Sequence, residues 1–498
     1  MKVGVVLPVY NQEKTYLFEC FQSIENQTYR NFELVIVIDG ANAETVKATY
    51  EAASLLSCPY KIIHRLENKG IAYSLNEGYQ HLSNCPYLTW ISSDNRQSPN
   101  FLQRLVESMM TAPPNTVLVY SMYWAINELG ERYIPDNIWF PSMYQMMNRS
   151  KQEIMMACFI GASFLFTRSA YEQAGGYDQK YGIISDYEFW IRLMQCGEFL
   201  FIKEALMEYR LKGKYSLTTL TPSEELYLQS MAASIDHRRR MGDIPKVTVI
   251  ITAHNHEHYI ETCIQSVLKQ TYSNFHVVII DVGSTDGTLG KIYSMHDTRM
   301  IPIHISSRHK ALALNIGLKY VLGEYVLELD GDDWIDDHTL EIMVREMDAQ
   351  TSDVGMAYAN RKLWFEESGQ LVEGPVYSGV MYKDKYEVLS KLQTHCPRLY
   401  RRSVLEELNG WISSLHGEPL LADDYMMFLR IAERYKIHWI NATLYHQRRH
   451  HSNITILEKQ NLNRQFRMVV NEMLHRWGSV YVPQFEEQDG FITKINLL

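Results

Sequence analysis

The segment EYVLELDGDDWIDD, residues 324–337, places three carboxylates directly after an apolar run. Asp330, Asp332 and Asp333 lie so close in sequence that their charges repel, and a positive group is expected among them. Carboxylate oxygens are the ligands that Mg²⁺ or Mn²⁺ prefers, and substrate phosphates commonly complete the coordination shell. A weaker form of the pattern, PYLTWISSDN at 86–95, has Asp94 at the position of Asp332. Two divalent-cation sites are therefore predicted.

Two other interpretations of the acidic segment are considered. A calcium loop of the EF-hand type is disfavoured, because Ile335 stands where that loop needs glycine and Trp334 replaces a ligand. An acidic turn in which Asp336 or Asp337 caps the following helix remains open beside the cation site.

The chain repeats itself after roughly 240 residues. VGVVLPVYNQ at 3–12 corresponds to VTVIITAHNH at 247–256, and both copies continue with QTY and a second apolar strand. Further on, SDYEFWIRL at 185–193 corresponds to DDYMMFLRI at 423–431. A repeat of this length is a whole domain. The predicted organisation is a first domain over 1–235, a second over 246–456, and a C-terminal helical extension over 457–498.

Each copy alternates β-branched strands with helices, which predicts an α/β fold. The expected sheet is mostly parallel, of the Rossmann-like kind, with helices on both faces. Ligands of such sheets bind beyond the carboxyl ends of the strands. The polar residues of the repeat follow strands, so they are expected to share one crevice in each domain.

Composition excludes several classes of protein. The 498 residues are 46% hydrophobic and carry a net charge of -10, which disfavours a general nucleic-acid binder. No apolar run reaches the ~20 residues of a membrane helix. The seven cysteines are scattered, which favours a reducing compartment. We expect a cytoplasmic protein without a transmembrane segment, and peripheral association with a membrane is left open.

Several ordered motifs occur in this repeat: PVYN, QTY, the loop DVGSTDGT at 281–288, the asparagine-bearing helix, the D-x-D strand end and the Asp-plus-Arg helix. With them the chain resembles family 2 glycosyltransferases of the GT-A (nucleotide-diphospho-sugar transferase) fold, over almost all of both copies. The first copy is most similar to bacterial spore-coat polysaccharide glycosyltransferases, and the second to enzymes of capsule and lipopolysaccharide synthesis.

The resemblance implies an inverting transfer from a UDP-sugar donor to a saccharide or glycoconjugate acceptor in bacterial surface polysaccharide synthesis. It implies Mn²⁺ or Mg²⁺ on Asp94, Asp330 and Asp332, because a divalent ion stabilises the charge of departing UDP. It assigns the general base to Asp186 and Asp424. Arg192 and Arg430 are expected to brace these helices.

The resemblance also assigns nucleotide binding. Asp39 ends the second strand of the first copy, whereas in the second copy Asp281 lies one residue before the matching position, which is Val282. The other nucleotide-binding candidates are Asn11, Asn76, Asn255 and Lys310. Basic residues near the end of each copy are candidates for the diphosphate: Arg210, Lys212, Lys214, Arg448, Arg449, His450 and His451. Tyr177 and Trp411 are candidates for stacking on acceptor sugars.

Two alternatives remain. One domain could be catalytic while the other is a non-catalytic carbohydrate-binding or scaffold module. A nucleotidyltransferase is disfavoured, because neither first strand is followed by a glycine-rich phosphate loop.

Overall fold

The computed structural model describes residues 1–132, 134–211, 221–307, 309–367, 369–391, 395–451, 453, 457–488 and 490–498. The chain divides into two compact units, Met1–His237 (unit 1) and Arg238–Leu498 (unit 2). The division lies within the charged segment 236–246.

Unit 1 contains an eight-stranded sheet in the order β3-β2-β1-β4-β7-β6-β8-β5. Strands β1 to β4 are parallel to one another, and β7 joins β4 in antiparallel fashion. The central strands are buried on both faces, which is why they read as continuous apolar runs rather than alternating ones. The strands are β1 (Val3–Val9), β2 (Phe32–Asp39), β3 (Tyr60–Arg65), β4 (Tyr87–Trp90), β5 (Arg96–Gln97), β6 (Thr116–Ile126), β7 (Phe164–Thr167) and β8 (Glu198–Arg210).

The helices of unit 1 cover the sheet through apolar stripes at helical spacing. They form two clusters of buried side chains, one for each face of the sheet. The helices are α1 (Lys14–Glu25), α2 (Ala43–Ala53), α3 (Ile71–Gln80), α4 (Phe101–Thr111), α5 (Asp136–Met147), α6 (Arg168–Ala174), α7 (Ser185–Leu193) and α8 (Ser223–Met241), which spans the division between the units.

Unit 2 repeats this sheet in the order β11-β10-β9-β12-β16-β14-β19-β13, with β15 paired to β14. The strands are β9 (Val247–Ala253), β10 (Phe275–Val282), β11 (Met300–Ile305), β12 (Tyr325–Asp330), β13 (Trp334–Ile335), β14 (Val354–Glu367), β15 (Gln370–Tyr377), β16 (Arg398–Arg401), β17 (Ser414–Leu415), β18 (Glu418–Pro419) and β19 (Lys436–Arg449). The helices are α9 (Ile260–Leu268), α10 (Thr288–Ser294), α11 (Lys310–Leu318), α12 (Thr339–Asp348), α13 (Lys385–Ser390), α14 (Arg402–Glu407) and α15 (Asp423–Ala432). Both units have the α/β fold that the sequence predicts.

A glycine sets the distance between sheet and helix at the same place in both units. A Cβ atom on Gly78 of α3 would lie 2.6 Å from Val6 of β1, and one on Gly317 of α11 would lie 2.7 Å from Ile280 of β10. Glycine is needed there because the backbone approaches the sheet so closely. This contact seats α3 and α11, whose first turns reach the ends of the strands.

The C-terminal extension is helical only in its first part. After α16 (Lys459–Arg476), strands β20 (Pro483–Gln488) and β21 (Phe491–Leu497) pair as an antiparallel hairpin. The prediction of a helical extension over 457–498 was therefore wrong for its second half. Turn residues between two short strands carry too little periodicity to reveal the hairpin beforehand.

Candidate active site

Unit 1 contains a cavity of about 640 Å³ at the carboxyl ends of β1, β2 and β4. Its wall includes Asp39, Asp94 and Asp186. The resemblance assigns Asp39 to the nucleotide, Asp94 to the metal ion, and Asp186 to the acceptor hydroxyl as its general base. These residues are far apart in sequence, and the parallel sheet brings them to one crevice.

Asp39 is almost fully buried and has several hydrogen-bond donors around it. Its carboxylate accepts hydrogen bonds from the backbone N–H groups of Lys69 at 2.8 Å and Gly70 at 2.9 Å. Arg65 forms an ion pair with it at 2.8 Å. Asp39 therefore holds the loop before α3 in place while it faces the cavity.

Asp94 is partly buried at the end of the acidic segment of unit 1. The hydroxyl of Ser92 donates a hydrogen bond of 2.6 Å to its Oδ1. Burial raises the pKa of Asp94, and the Ser92 hydrogen bond and the charge of Arg210 only partly oppose this. A neighbouring cation would stabilise the ionised form of this carboxylate.

Asp186 is the second residue of α7, and its carboxylate accepts a hydrogen bond of 2.7 Å from the N–H of Tyr187. Burial raises the pKa of Asp186 to about 6, although backbone hydrogen bonds lower it. The N-cap position of α7 is Ile184, so Asp186 does not cap this helix. A carboxyl group with a pKa near neutrality in a cavity is suited to accept a proton.

Several cavity residues were missed by the sequence analysis. Tyr10 is 46% exposed and lines the cavity near Asp39, and Trp90, Tyr123 and Cys158 line it as well. Tyr10 lies inside the quoted motif PVYN, which could have revealed it. Tyr123 lies on β6, a strand that carries no polar motif, so nothing in the sequence marked it.

Two predicted site residues of unit 1 have other environments. The side chain of Asn76 donates to the carbonyl of Tyr177 at 2.7 Å and accepts from its N–H at 2.9 Å, and Asn76 is not among the cavity-lining residues. Tyr177 is 3% exposed and stacks on Phe189 in the core. Asn76 thus holds α3 to the loop before α7, and its nucleotide contact stays a prediction. The prediction that Tyr177 stacks on the acceptor was wrong, because its ring is packed in the core.

The same pair of interactions occurs in unit 2. Asn315 contacts the backbone of Trp411 at 2.7 and 2.8 Å. Trp411 is 2% exposed, so it is a core residue and not the predicted acceptor platform.

Arg210 and Arg448 hydrogen-bond to the backbone of the acidic segments. Arg210 donates from Nε to the carbonyl of Asp94, and Arg448 does the same to Asp332, both at 3.0 Å. Each guanidinium lies over a tyrosine of the first helix region, Tyr16 at 4.0 Å in unit 1. Both arginines are buried, so the structure contradicts the prediction that they bind the diphosphate.

In unit 2 a lysine occupies the acidic strand end. The ammonium of Lys310 lies 2.5 Å from Asp330 and 3.1 Å from Glu328. Burial opposes the charge of Lys310, but Asp330 and Glu328 outweigh it and raise its pKa. Lys310 is thus the positive group expected among the carboxylates, and a role toward the diphosphate would require it to leave them.

Asp332 has a different set of partners. His450 Nε2 lies 3.0 Å from its Oδ2, and Asn453 donates to the same oxygen at 3.1 Å. Burial disfavours ionisation of Asp332, but the His450 hydrogen bond and the neighbouring His256 outweigh it and lower its pKa. The adjacent Asp333 accepts from Tyr445 at 2.7 Å, and its pKa is raised by burial and by Asp332.

Asp424 begins the helix that corresponds to α7, but its neighbour differs from that of Asp186. Arg398 bridges Glu328 at 2.6 Å and Asp424 at 2.8 Å. Beside it, burial raises the pKa of Asp423 to about 8. The predicted base of unit 2 is therefore held by an ion pair, whereas Asp186 has none among the residues of unit 1 that the structure describes.

The predicted nucleotide contact of Asp281 is contradicted by its burial. Asp281 pairs with Ala253 at the end of β9, just as Ile38 pairs with Val9 at the end of β1. The next residue of the second strand is Val282 in unit 2 and Asp39 in unit 1, so Val282 corresponds to Asp39. The Asp281 side chain has no exposed surface, and its Oδ2 lies 2.7 Å from His304 Nδ1. A shift by one residue turns a side chain to the opposite face of a strand. The neighbour of Val282 on β11 is Ile305, at the position of Arg65.

The remaining predicted residues are placed as follows. Asn11 lines the cavity and accepts from the N–H of Asn42 at 2.8 Å, and Asn255 accepts from the N–H of Thr285 at 2.8 Å. Arg192 donates to the carbonyl of Ala174 and pairs with Glu188, and Arg430 donates to the carbonyl of Gly410 at 2.6 Å, so both brace their helices as expected. Lys212 and Lys214 lie outside the described residues.

Few carboxylates are available for a divalent ion at these strand ends. Asp94 supplies one carboxylate in unit 1, and Asp330 and Asp332 supply two in unit 2. Within the ranges that the structure describes, no group of three or more His, Cys, Asp or Glu side chains is placed to hold a metal. Such sparse sets suit Mg²⁺ or Mn²⁺ bound mainly through phosphates and water.

Of the helices that the structure describes, none combines the length and the apolar character that crossing a bilayer demands.

Comparison with known proteins supports the assignment that the motifs suggest. The profile of "Glycosyl transferase family 2" matches residues 4–175 and 248–409, about two thirds of the chain. An uncharacterized glycosyltransferase of Rickettsia conorii is 25% identical over 490 residues, covering 89% of this chain and 78% of the relative. Chondroitin synthase of Escherichia coli is 23% identical and covers 96% of this chain and 74% of the relative.

Among solved structures, Staphylococcus aureus TarS 1-349 in complex with UDP-GlcNAc is 20% identical, with a TM-score of 0.37. The match covers 46% of this chain and 66% of that one. With one family match in each of its two α/β units, the chain belongs to glycosyl transferase family 2 as a tandem glycosyltransferase.

Proposed function

We propose that both units transfer a sugar from a UDP-sugar to a saccharide or glycoconjugate acceptor, with inversion, in the synthesis of a surface polysaccharide. The observation that carries this proposal is the cavity of unit 1, where Asp39, Asp94 and Asp186 meet. A relative named chondroitin synthase supports a saccharide product. The seven free cysteines support a site of action in the cytoplasm.

We place the nucleotide base beside Tyr10 and Asp39 of the unit 1 cavity wall, where Arg65 forms an ion pair with Asp39. A carboxylate can accept the imide N–H of uracil, and the exposed Tyr10 ring can stack on the base. The ion pair between Arg65 and Asp39 fixes the orientation of this carboxylate. These three side chains favour a uridine nucleotide in unit 1.

At the other end of the cavity, Asp186 would take the proton of the acceptor hydroxyl as that oxygen attacks the anomeric carbon. The bond from the anomeric carbon to the phosphate oxygen breaks as the new glycosidic bond forms, and UDP leaves. Attack from the side opposite the diphosphate inverts the anomeric configuration. Its pKa of about 6 leaves Asp186 ionised at neutral pH yet still basic.

Asp94 in unit 1 and Asp330 and Asp332 in unit 2 would hold Mn²⁺ or Mg²⁺. When bound, such an ion stabilises the charge that develops on the departing diphosphate. Arg210 and Arg448 fix the backbone of these acidic segments, so that the carboxylates keep their position at the strand ends.

The test is a UDP-release assay on the whole chain with a panel of UDP-sugars and saccharide acceptors. Asp186→Asn and Asp424→Asn should each abolish one transfer activity, a loss of about 10²–10⁴-fold for a general base. Chelation with EDTA should stop turnover, and Mn²⁺ should restore it. Asp353→Asn, at a surface carboxylate paired with Lys436, is the matched control. Turnover that both site variants leave unchanged would contradict the mechanism.

A second candidate function applies to unit 2 alone. Val282 and Ile305 of unit 2 occupy the positions of Asp39 and Arg65 in unit 1. At these positions unit 2 therefore has no Asp–Arg pair to contact a nucleotide base. This favours the alternative of a non-catalytic carbohydrate-binding module. In that case Asp186→Asn alone would remove all turnover, and Asp424→Asn would remove none.

A further inference from the structure

Three aromatic side chains of unit 2 come together on the strands β13, β14 and β19. The ring of Trp334 is stacked on that of His446, with 5.2 Å between the ring centres and 9° between the ring planes. Trp364 lies 5.6 Å from Trp334 and 6.0 Å from His446. All three residues are partly exposed. We call Trp334, Trp364 and His446 the ring cluster.

The ring cluster carries N–H donors at the edges of its rings. The indole N–H of Trp364 donates to Nδ1 of His446 at 3.0 Å, so the proton of the neutral imidazole lies on Nε2. Within the part of the chain that the structure describes, neither this Nε2–H nor the indole N–H of Trp334 has a hydrogen-bond acceptor, and neither group is buried. Both can therefore donate to a ligand.

Unit 1 shows that this strand pairing does not need aromatic rings. Trp334 pairs with His446 in the same way as Arg96 pairs with Glu208, and each partner stands two residues before the conserved position of the β8 or β19 arginine. In unit 1 an ion pair of 2.7 Å joins Arg96 and Glu208. Because the fold accepts an ion pair there, the exposed rings of unit 2 call for an explanation other than folding.

The ring cluster is connected to the acidic strand end through Arg448. The Nε of Arg448 donates to the carbonyl of Asp332 at 3.0 Å, and its guanidinium lies 5.1 Å from the centre of the Trp334 ring and 4.7 Å from that of Tyr259. Tyr259 in turn lies 4.6 Å from His450, whose Nε2 is 3.0 Å from Asp332. A continuous strip of rings thus leads from Asp332 to the ring cluster.

The chemistry of this strip fits a chain of sugar rings. A flat aromatic ring packs against the C–H face of a pyranose, and N–H groups at the ring edge can donate to its hydroxyls. Lys362 lies 5.2 Å from the centre of the Trp364 ring, but its charge is balanced by Glu373. The surface therefore favours uncharged sugar faces over a phosphate.

We propose that Trp334, Trp364 and His446 form a subsite of unit 2 that binds pyranose rings of a saccharide chain at a distance from the reacting sugar. The inference rests on the proposed transfer to a saccharide acceptor. It adds that unit 2 holds an extended chain, whereas unit 1 has an ion pair in place of the stacked rings.

Binding is measured by calorimetry on the whole chain with three pairs of neutral probes: maltose and maltohexaose, cellobiose and cellohexaose, and chitobiose and chitohexaose. In at least one pair the hexasaccharide should bind about tenfold more tightly than the disaccharide, because it reaches further aromatic rings. Trp364→Ala should lower the affinity for that hexasaccharide to the level of the disaccharide.

A second variant guards against loss of folding. Trp334→Arg combined with His446→Glu installs the ion pair that unit 1 carries at this position, so the Tm should stay close to that of the wild type while the preference for the hexasaccharide disappears. Trp477→Ala is the matched control, because Trp477 is a partly exposed tryptophan of the same unit that packs on Tyr386 instead. It should leave the preference unchanged.

Three results would overturn the proposal. They are equal affinity for hexasaccharide and disaccharide in all three pairs, a preference that survives the double variant, and a double variant that loses affinity for UDP but not for the hexasaccharide. Preference for a hexasaccharide without any turnover in the UDP-release assay would support the subsite and reject the proposed transfer. Turnover without such a preference would reject the subsite alone.

Discussion

Asp186 and Asp424 occupy the same position of the repeat but have different electrostatic neighbours. Asp186 lies near the neutral side chains of Tyr177 and Cys158, whose pKa values are raised by burial and further by the charge of Asp186. Asp424 is paired with Arg398, and Glu328, Lys310 and Asp423 complete its charged surroundings. At the scale of single residues, the two candidate bases are therefore not equivalent.

The raised pKa of Asp186 predicts the pH dependence of unit 1. With unit 2 inactivated by Asp424→Asn, kcat/KM should rise with pH through about 6, because Asp186 must be ionised to accept a proton. A pH–rate profile between pH 4.5 and 8 measures this. A profile that is flat through pH 6 would exclude Asp186 as the base.

The same shift affects stability, with a definite sign. The folded state binds the Asp186 proton more tightly than the unfolded state does, so stability decreases as pH rises from about 4 to about 6. Asp186→Asn removes this dependence. Its Tm should exceed that of the wild type at pH 7, and the difference should shrink toward pH 4.

At the scale of elements, helices α3 and α11 are seated by one glycine each. Substituting Gly78 by Ala would force a Cβ against Val6, and overpacking of this kind costs about 1–3 kcal/mol. Gly78→Ala should lower the urea midpoint of unfolding and reduce unit 1 turnover, because α3 begins at the cavity wall.

Gly290 provides the control for this prediction. It is an exposed glycine of α10, and a Cβ there would meet no atom within 4 Å. Gly290→Ala should leave the free energy of unfolding unchanged or raise it by up to ~1 kcal/mol through helix propensity. Equal effects of the two substitutions would show that the contact with Val6 is unimportant.

At the scale of the whole molecule, each unit contains its own set of site residues. A mixture of the Asp186→Asn and Asp424→Asn chains should therefore restore products that carry both sugars. Restoration should depend on protein concentration, because the acceptor must pass between molecules. Size analysis of labelled products checks this. If the mixture makes only the single-addition products of its components, the units do not act independently.

The sequence by itself determined the architecture and the chemical character of the site. A duplicated order of apolar strands, amphipathic helices and polar strand ends is sufficient for two α/β units, because periodicity and burial are local properties. The same order placed Asp39, Asp94 and Asp186 at strand or helix ends, from which a parallel sheet must bring them together. The prediction of a tandem family 2 glycosyltransferase was confirmed, whereas the likeness of the first copy to spore-coat enzymes stays a prediction.

Only the tertiary structure decided which polar side chains are free for a ligand. Asn76, Arg210 and Arg448 carry suitable groups, but partners distant in sequence use them for hydrogen bonds within the protein. Burial turned Tyr177 and Trp411 into core residues, and one step of register turned Asp281 away from its expected contact. Whether a polar side chain finds a hydrogen-bond partner within the protein depends on residues that are distant in sequence and close in space. The spacing of residues along the chain does not contain that information.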